Sequence, residues 1–163
     1  MNETGRPQDF PLSNPRADRV RKVAQLAGRP ARLKRSEFMA EGPQAVREAL
    51  TLHQKRVAAG EPGVVYEVYA SEACLDRHPD LETLAEGIDA YLTTDEVLAA
   101  IADTVTPQGI PAVCGFLDVS LEQVLAAGPR RLSLLWQVRA PGPAATVARA
   151  ADRARPAPPT LPH

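Results

Sequence analysis

Val20, Val23, Ala24 and Ala27 fall three and four residues apart, the repeat of a helix with one buried face. Asn14-Pro15 ahead of them predicts the helix start, with Asn14 or Ser13 as N-cap and Pro15 in the first turn, and Gly28 and Pro30 end or interrupt it. Glu37-Phe38-Met39-Ala40 reads as a short strand. Gly42-Pro43 opens a second helix through about Ala58, with Val46, Leu50 and His53 near one face. Val64 to Ala70 is the clearest strand, rich in Val and Tyr. A weak helix follows around Leu81 to Glu86, then a short strand from Ile88 to Leu92. Thr94 or Asp95 caps a helix to about Ala102, and Ile110 to Phe116 forms a strand after a Pro-Gly turn. Ser120 and Gln123 fit a capping box for a helix to about Ala127. Leu132 to Val138 reads as a further strand and Ala144 to Ala154 as a further helix.

Strands alternating with helices predict an α/β layered sandwich. Composition changes this picture in one respect. Aromatic residues are only 4% of the 163, so the core must be built mainly from Val, Leu, Ala and Ile. No apolar run approaches the roughly 18 residues of a membrane span. The opening Met1-Asn2-Glu3-Thr4-Gly5 lacks a basic-then-apolar leader, so a cytoplasmic location is expected. Cys74 and Cys114 have no CxxC partner and read as buried reduced thiols. His53, His78 and His163 share no ligand spacing, so no metal site is expected. No glycine-rich phosphate loop, dinucleotide fingerprint or nucleophile motif stands in the chain.

Charge is the informative feature. Residues 1–35 carry +6, residues 36–127 carry -12 and residues 128–163 carry +5 within a net charge of -1. Arg16, Arg19, Arg21, Lys22, Arg29, Arg32, Lys34 and Arg35 form a dense block that suits a polyanion's phosphates. A solvated helix face has the same composition. Phosphate contacts give affinity without sequence choice, so the block does not name its ligand. The acidic middle could instead face a basic partner, which keeps a protein-interaction module open.

Three segments taken in order resemble the SpoU/TrmH family of RNA ribose 2'-O-methyltransferases. The first is the basic helix with Lys34-Arg35, then Phe38-Met39-Ala40-Glu41-Gly42 and Val46-Arg47-Glu48-Ala49-Leu50, similar to the family's F-x-x-E-G and V-x-E-A-L-like run. The second is Thr104-Val105-Thr106-Pro107-Gln108-Gly109-Ile110, similar to T-x-T-P-Q-G-I. The third, Leu134 to Asp152, resembles the first strand and motif of the methyltransferase domain. Pro141, Gly142, Thr146, Arg149 and Asp152 match there, while Ala140, Pro143 and Ala145 replace the family's Asp, Asn and second Gly.

The resemblance implies an α/β/α sandwich similar to kink-turn-binding ribosomal proteins, followed by a truncated first strand and helix of a knotted methyltransferase domain. It divides the chain into a flexible terminus (1–12), an RNA substrate-binding domain (13–128), a remnant of the methyltransferase domain (129–154) and a Pro-rich disordered tail (155–163). It implies ribosomal RNA as partner. Arg35 is the first candidate for a phosphate contact, with Arg32, Lys34, Lys22 and Arg19 next, and Gln108 either reads RNA or supports the junction with the catalytic domain. Arg149 stands at the family's catalytic arginine and reads as a remnant rather than a working catalyst. S-adenosylmethionine is the implied cofactor, although the expected lack of the knot argues against binding or catalysis by this chain and for a monomer. A stand-alone RNA-binding module without enzyme activity is the alternative.

Overall fold

The computed structural model describes residues 11–102 and 107–127. The expected strand at Leu132 to Val138, the helix at Ala144 to Ala154 and the tail lie outside the described residues. One compact unit ends at Leu117 and a second begins at Asp118, earlier than the boundary after residue 128 that the sequence suggests. In the first unit, α1 (Asp18–Ala24) passes into a 3-10 turn (Gln25–Ala27). Then come α2 (Arg29–Arg35), β1 (Glu37–Glu41), α3 (Pro43–Ala58), β2 (Val65–Ala70), α4 (Glu72–Arg77), α5 (Asp80–Leu84), β3 (Asp89–Leu92), α6 (Asp95–Ala102) and β4 (Pro111–Gly115). In the second unit, α7 (Leu121–Ala126) carries the expected capping box. Ser120 Oγ accepts from the Gln123 N–H at 3.2 Å and Gln123 Oε1 accepts from the Ser120 N–H at 2.8 Å.

The strands lie in the order β1-β4-β2-β3. β4 runs antiparallel to both neighbours, and β2 and β3 are parallel. Alternate residues of β4 separate two cores, since successive strand side chains leave opposite faces. Ala112 and Cys114 pack with Val46 and Leu50 of α3, Cys74 of α4 and Leu81 of α5. Val113 packs with Val20 and Val23 of α1, Leu26 of the 3-10 turn and Val97, Leu98 and Ile101 of α6. The product is the α/β/α sandwich expected. Both cysteines are buried free thiols, and burial pushes Cys114 up to about 11. Among the described residues no helix is long and apolar enough to cross a membrane.

A register shift in β2 adds one residue opposite β4, pairing Val65 with Cys114 and Glu67 with Val113. This β-bulge returns Val65 and Val68, three apart, to the same core and leaves Tyr66 exposed. The Tyr66 ring occupies the space a side chain at Gly115 would need, with its Cζ 3.0 Å from the position of a Cβ.

Several local expectations are corrected. Asn14 and Ser13 do not cap α1. Asn14 Oδ1 accepts from the Arg16 N–H at 2.9 Å in a turn, and the helix begins after Ala17. Gly28 and Pro30 do more than stop α1: Gly28 is extended at the N-cap of α2, and Pro30 lies in its first turn. α4 was not foreseen; Ser71 Oγ accepts from the Cys74 N–H at 3.3 Å at its start. Leu12, read as part of the flexible terminus, pairs with the β3 edge. Its N–H donates to Leu92 O at 2.7 Å and its carbonyl accepts from the Thr94 N–H at 3.3 Å.

His53 of α3 lies over Gly63, and its Nδ1 accepts from the Val65 N–H at 3.0 Å. Partial burial lowers its pKa from the ordinary 6.5. The unfolded chain therefore takes up the proton first, so His53's contribution is whole above pH 6.5 and falls as the pH drops through and below that value. Thermal melting is expected to show this loss on acidification. His53→Gln should be less stable at neutral pH and should lack that step.

Candidate nucleic-acid interface

The basic block folds as two short helices joined by the 3-10 turn. Its residues divide into two groups by what their side chains touch. Arg19, Arg32 and Arg35 are tied into the fold. Arg32 Nη1 donates to Leu26 O at 3.0 Å and Ala27 O at 2.7 Å, satisfying carbonyls at the end of the turn. Arg35 Nη1 donates to Lys22 O at 2.6 Å, joining the end of α2 to α1, and its guanidinium pairs with Glu37. The Arg35 side chain keeps only 20% of its exposure. Arg19 Nη1 donates to Glu67 Oε1 at 3.1 Å and Tyr91 Oη at 2.7 Å, and its guanidinium carbon stands 4.4 Å from the Tyr91 ring centre.

Lys22 and Lys34 are exposed, as are Arg16 and Arg29, which the sequence places in the block without ranking them. Arg21 is exposed too but pairs with Asp18 one turn earlier. Among the described residues, the solvated cations of this region are thus chiefly Lys22, Arg29 and Lys34 on the helices and Arg16 in the turn before α1, with Leu33 exposed among them. Arg35, the first candidate from sequence, sits where it organises Lys22 and the start of β1. Arg32→Ala is expected to lower stability by roughly 1 kcal/mol through loss of its two carbonyl contacts. Lys34→Ala should leave urea unfolding unchanged within error.

The partners of Arg19 escape a reading by motif. Glu67 accepts from the Tyr69 hydroxyl at 2.5 Å, and Tyr69, fully buried, stacks on Tyr91 with ring centres 5.3 Å apart. Burial, and then the Glu67 carboxylate, push the Tyr69 phenol far above its ordinary range. The available signal is Glu67 itself, a lone carboxylate inside an apolar strand, which needs a partner when half-buried.

The two short motifs meet at one junction. Gly42, between β1 and α3, has φ +87° and ψ 156°, and its N–H donates to Ile110 O at 2.9 Å. The Gln108 carboxamide lies in the space a Gly42 side chain would occupy. Gly109, at φ +84°, closes against α4, where an added Cβ would come 2.9 Å from Cys74 Cβ. Its carbonyl accepts from the Ser71 N–H at 3.0 Å. Burial raises the pKa of neighbouring Glu41. Gln108 itself is exposed. Arg149 lies outside the described residues. Among the described residues no group of three or more His, Cys, Asp or Glu could hold a metal.

The described domain is thus a three-layer sandwich with basic helices beside its first strand. Residues 17–112 match the family model of the MRM3-like substrate binding domain. The chain belongs to the MRM3-like substrate-binding domain family. It is 31% identical over 144 residues to the 23S rRNA (guanosine(2553)-2'-O)-methyltransferase RlmP of Bacillus subtilis, covering 88% of this chain and 50% of that protein. A solved RNA 2'-O ribose methyltransferase superposes with a TM-score of 0.57 at 20% identity, covering 88% of this chain and 52% of the other. An AdoMet-bound rRNA methyltransferase from Sinorhizobium meliloti gives a TM-score of 0.52 at 18% identity, covering 70% and 39%. The chain spans about half the length of the curated relative it matches.

Proposed function

We propose that the described domain recognises RNA, with ribosomal RNA as the substrate class, for a methyl transfer to a ribose 2'-hydroxyl. The observation that carries this reading is the set of solvated cations Lys22, Arg29 and Lys34 on α1 and α2, with Arg16 in the turn before α1, on two helices that Arg32 and Arg35 tie together. Fixed helices present their charges at little further ordering cost, whereas a floppy basic arm would lose entropy on binding. Membership of the substrate-binding family and the likeness to a 23S rRNA methyltransferase support RNA as the class of ligand.

In this reading S-adenosylmethionine supplies the methyl group and belongs to the catalytic half. The residues described here are those of the recognition domain, so their chemistry is binding and orientation, and no step is derived through the cofactor.

The test is RNA binding by the full chain as a function of salt. Affinity should fall linearly on a double-logarithmic plot, with a slope near -0.9 per phosphate neutralised on duplex RNA if it behaves as B-form DNA does. A chain that binds no RNA at about 50 mM salt would overturn the reading.

A further inference from the structure

We propose that the depression between the Leu12–Asn14 segment, α1 and the β3 edge holds one unpaired base of the RNA. This rests on the RNA-recognition reading above and adds a base contact to a surface otherwise suited only to phosphates.

The depression is open, measures about 360 Å³, and is lined by Leu12, Ser13, Asn14, Arg19, Tyr91 and other residues. Its walls hold the chemistry an unstacked base uses. Bases splayed from single-stranded RNA stack on aromatic rings and on guanidinium planes. Here one such plane is already laid against a ring: Arg19 over Tyr91 at 4.4 Å. Neither group is loose. Tyr91 is backed by buried Tyr69, and Arg19 is held by Glu67 and the Tyr91 hydroxyl. A long side chain fixed in this way loses little rotational freedom when a base arrives. The Arg19 side chain nevertheless remains 44% exposed.

Two polar groups stand at the rim. Asn14 commits its Oδ1 to the Arg16 N–H, which leaves its amide nitrogen as a donor toward a base edge. Ser13 is exposed and offers a hydroxyl. The Leu12 backbone is already paired on both sides, so the floor of the depression is fixed by the sheet edge. Arg19 is also adjacent along α1 to exposed Lys22, one turn on, and Arg16 lies one turn before. A backbone held by those cations therefore passes beside the depression.

A flat base on a guanidinium plane is worth enough to measure. Stacking contributes about fivefold or more in affinity per base. Lysine keeps the charge of arginine but lacks the plane. The experiment uses the full chain and two short RNA hairpins, one blunt and one with a single-stranded overhang, titrated at the same salt. The overhang is also made with one abasic nucleotide scanned along it.

In the unmodified protein an abasic site at one position of the overhang should weaken binding about fivefold. Arg19→Lys should lose a similar factor for the intact overhang and less than twofold for the blunt hairpin. The abasic loss should then vanish in the variant. Asn14→Ala, which removes an exposed carboxamide together with its bond from the Arg16 N–H, should cause a smaller loss, larger for the overhang than for the blunt hairpin. If Arg19→Lys alters the fold, seen as a lowered melting temperature, the abasic scan on the unmodified protein decides alone. Hairpins bound with no effect of any abasic site would overturn the pocket and leave the RNA reading standing. Failure to bind either hairpin would overturn both.

Discussion

Gly42→Ala is expected to destabilise the domain by roughly 1–3 kcal/mol, on the order of 5–15 °C in melting temperature for a unit of this size. Two independent effects act at this position. The backbone sits at φ +87° and ψ 156°, a region that only glycine occupies without strain. A methyl group there would also meet the Gln108 carboxamide. The two can be separated. Gln108 is exposed at the end of a flexible side chain, so Gln108→Ala should remove the collision and recover only part of the loss. The remainder is backbone strain, which no change at Gln108 relieves. If Gly42→Ala with Gln108→Ala were as stable as the unmodified chain, the strain argument would fail. The single variant should also loosen the Gly42 N–H bond to Ile110 O, which hydrogen exchange at that amide would report.

This junction illustrates what could be read in advance. Gly42-Pro43 is visible as a helix start because proline suits a first turn and glycine the bend before it, and α3 begins there. β2 and β4 were also legible, since both are short apolar runs bounded by Gly or Pro. The contact between Gly42 and Gln108 was not. The two residues stand at the ends of antiparallel neighbours β1 and β4, and only the strand order brings them together.

The errors in the first helix have a common cause. Asn14 has two local hydrogen-bonding options, an N-cap or a turn, and the competition is decided by where the chain must go to reach the β3 edge. Gly28-Arg29-Pro30 carries a stop and a start in the same three residues, and helix periodicity is too short in α2 to separate them. For the candidate interface, the location of charge was legible and its division was not. Arg19 finds Glu67 on β2 and Arg35 finds the Lys22 carbonyl on α1, partners that no spacing along the chain reveals. The cations left over, rather than the densest run, define the exposed surface.

That division predicts opposite outcomes for neighbouring residues. Reversing Lys22 and Lys34 together, Lys22→Glu with Lys34→Glu, should lower RNA affinity by about tenfold to a hundredfold at roughly 100 mM salt, and more at lower salt. Each lost phosphate contact should also flatten the salt dependence by about one unit of slope. Both side chains are exposed and, among the described residues, neither ammonium group bonds a partner, so the fold should be kept and urea unfolding should change little. Lys22 enters the fold through its carbonyl, which the substitution leaves in place for Arg35. Arg35→Glu is the contrasting case. It puts a second carboxylate beside Glu37 and removes the link between α2 and α1, so its loss of RNA binding should come with a lowered melting temperature. If the lysine pair instead binds RNA as tightly as the unmodified chain, with the same slope, the helices are a solvated face. The protein-interaction reading, with the acidic middle of the chain as its surface, would then take their place.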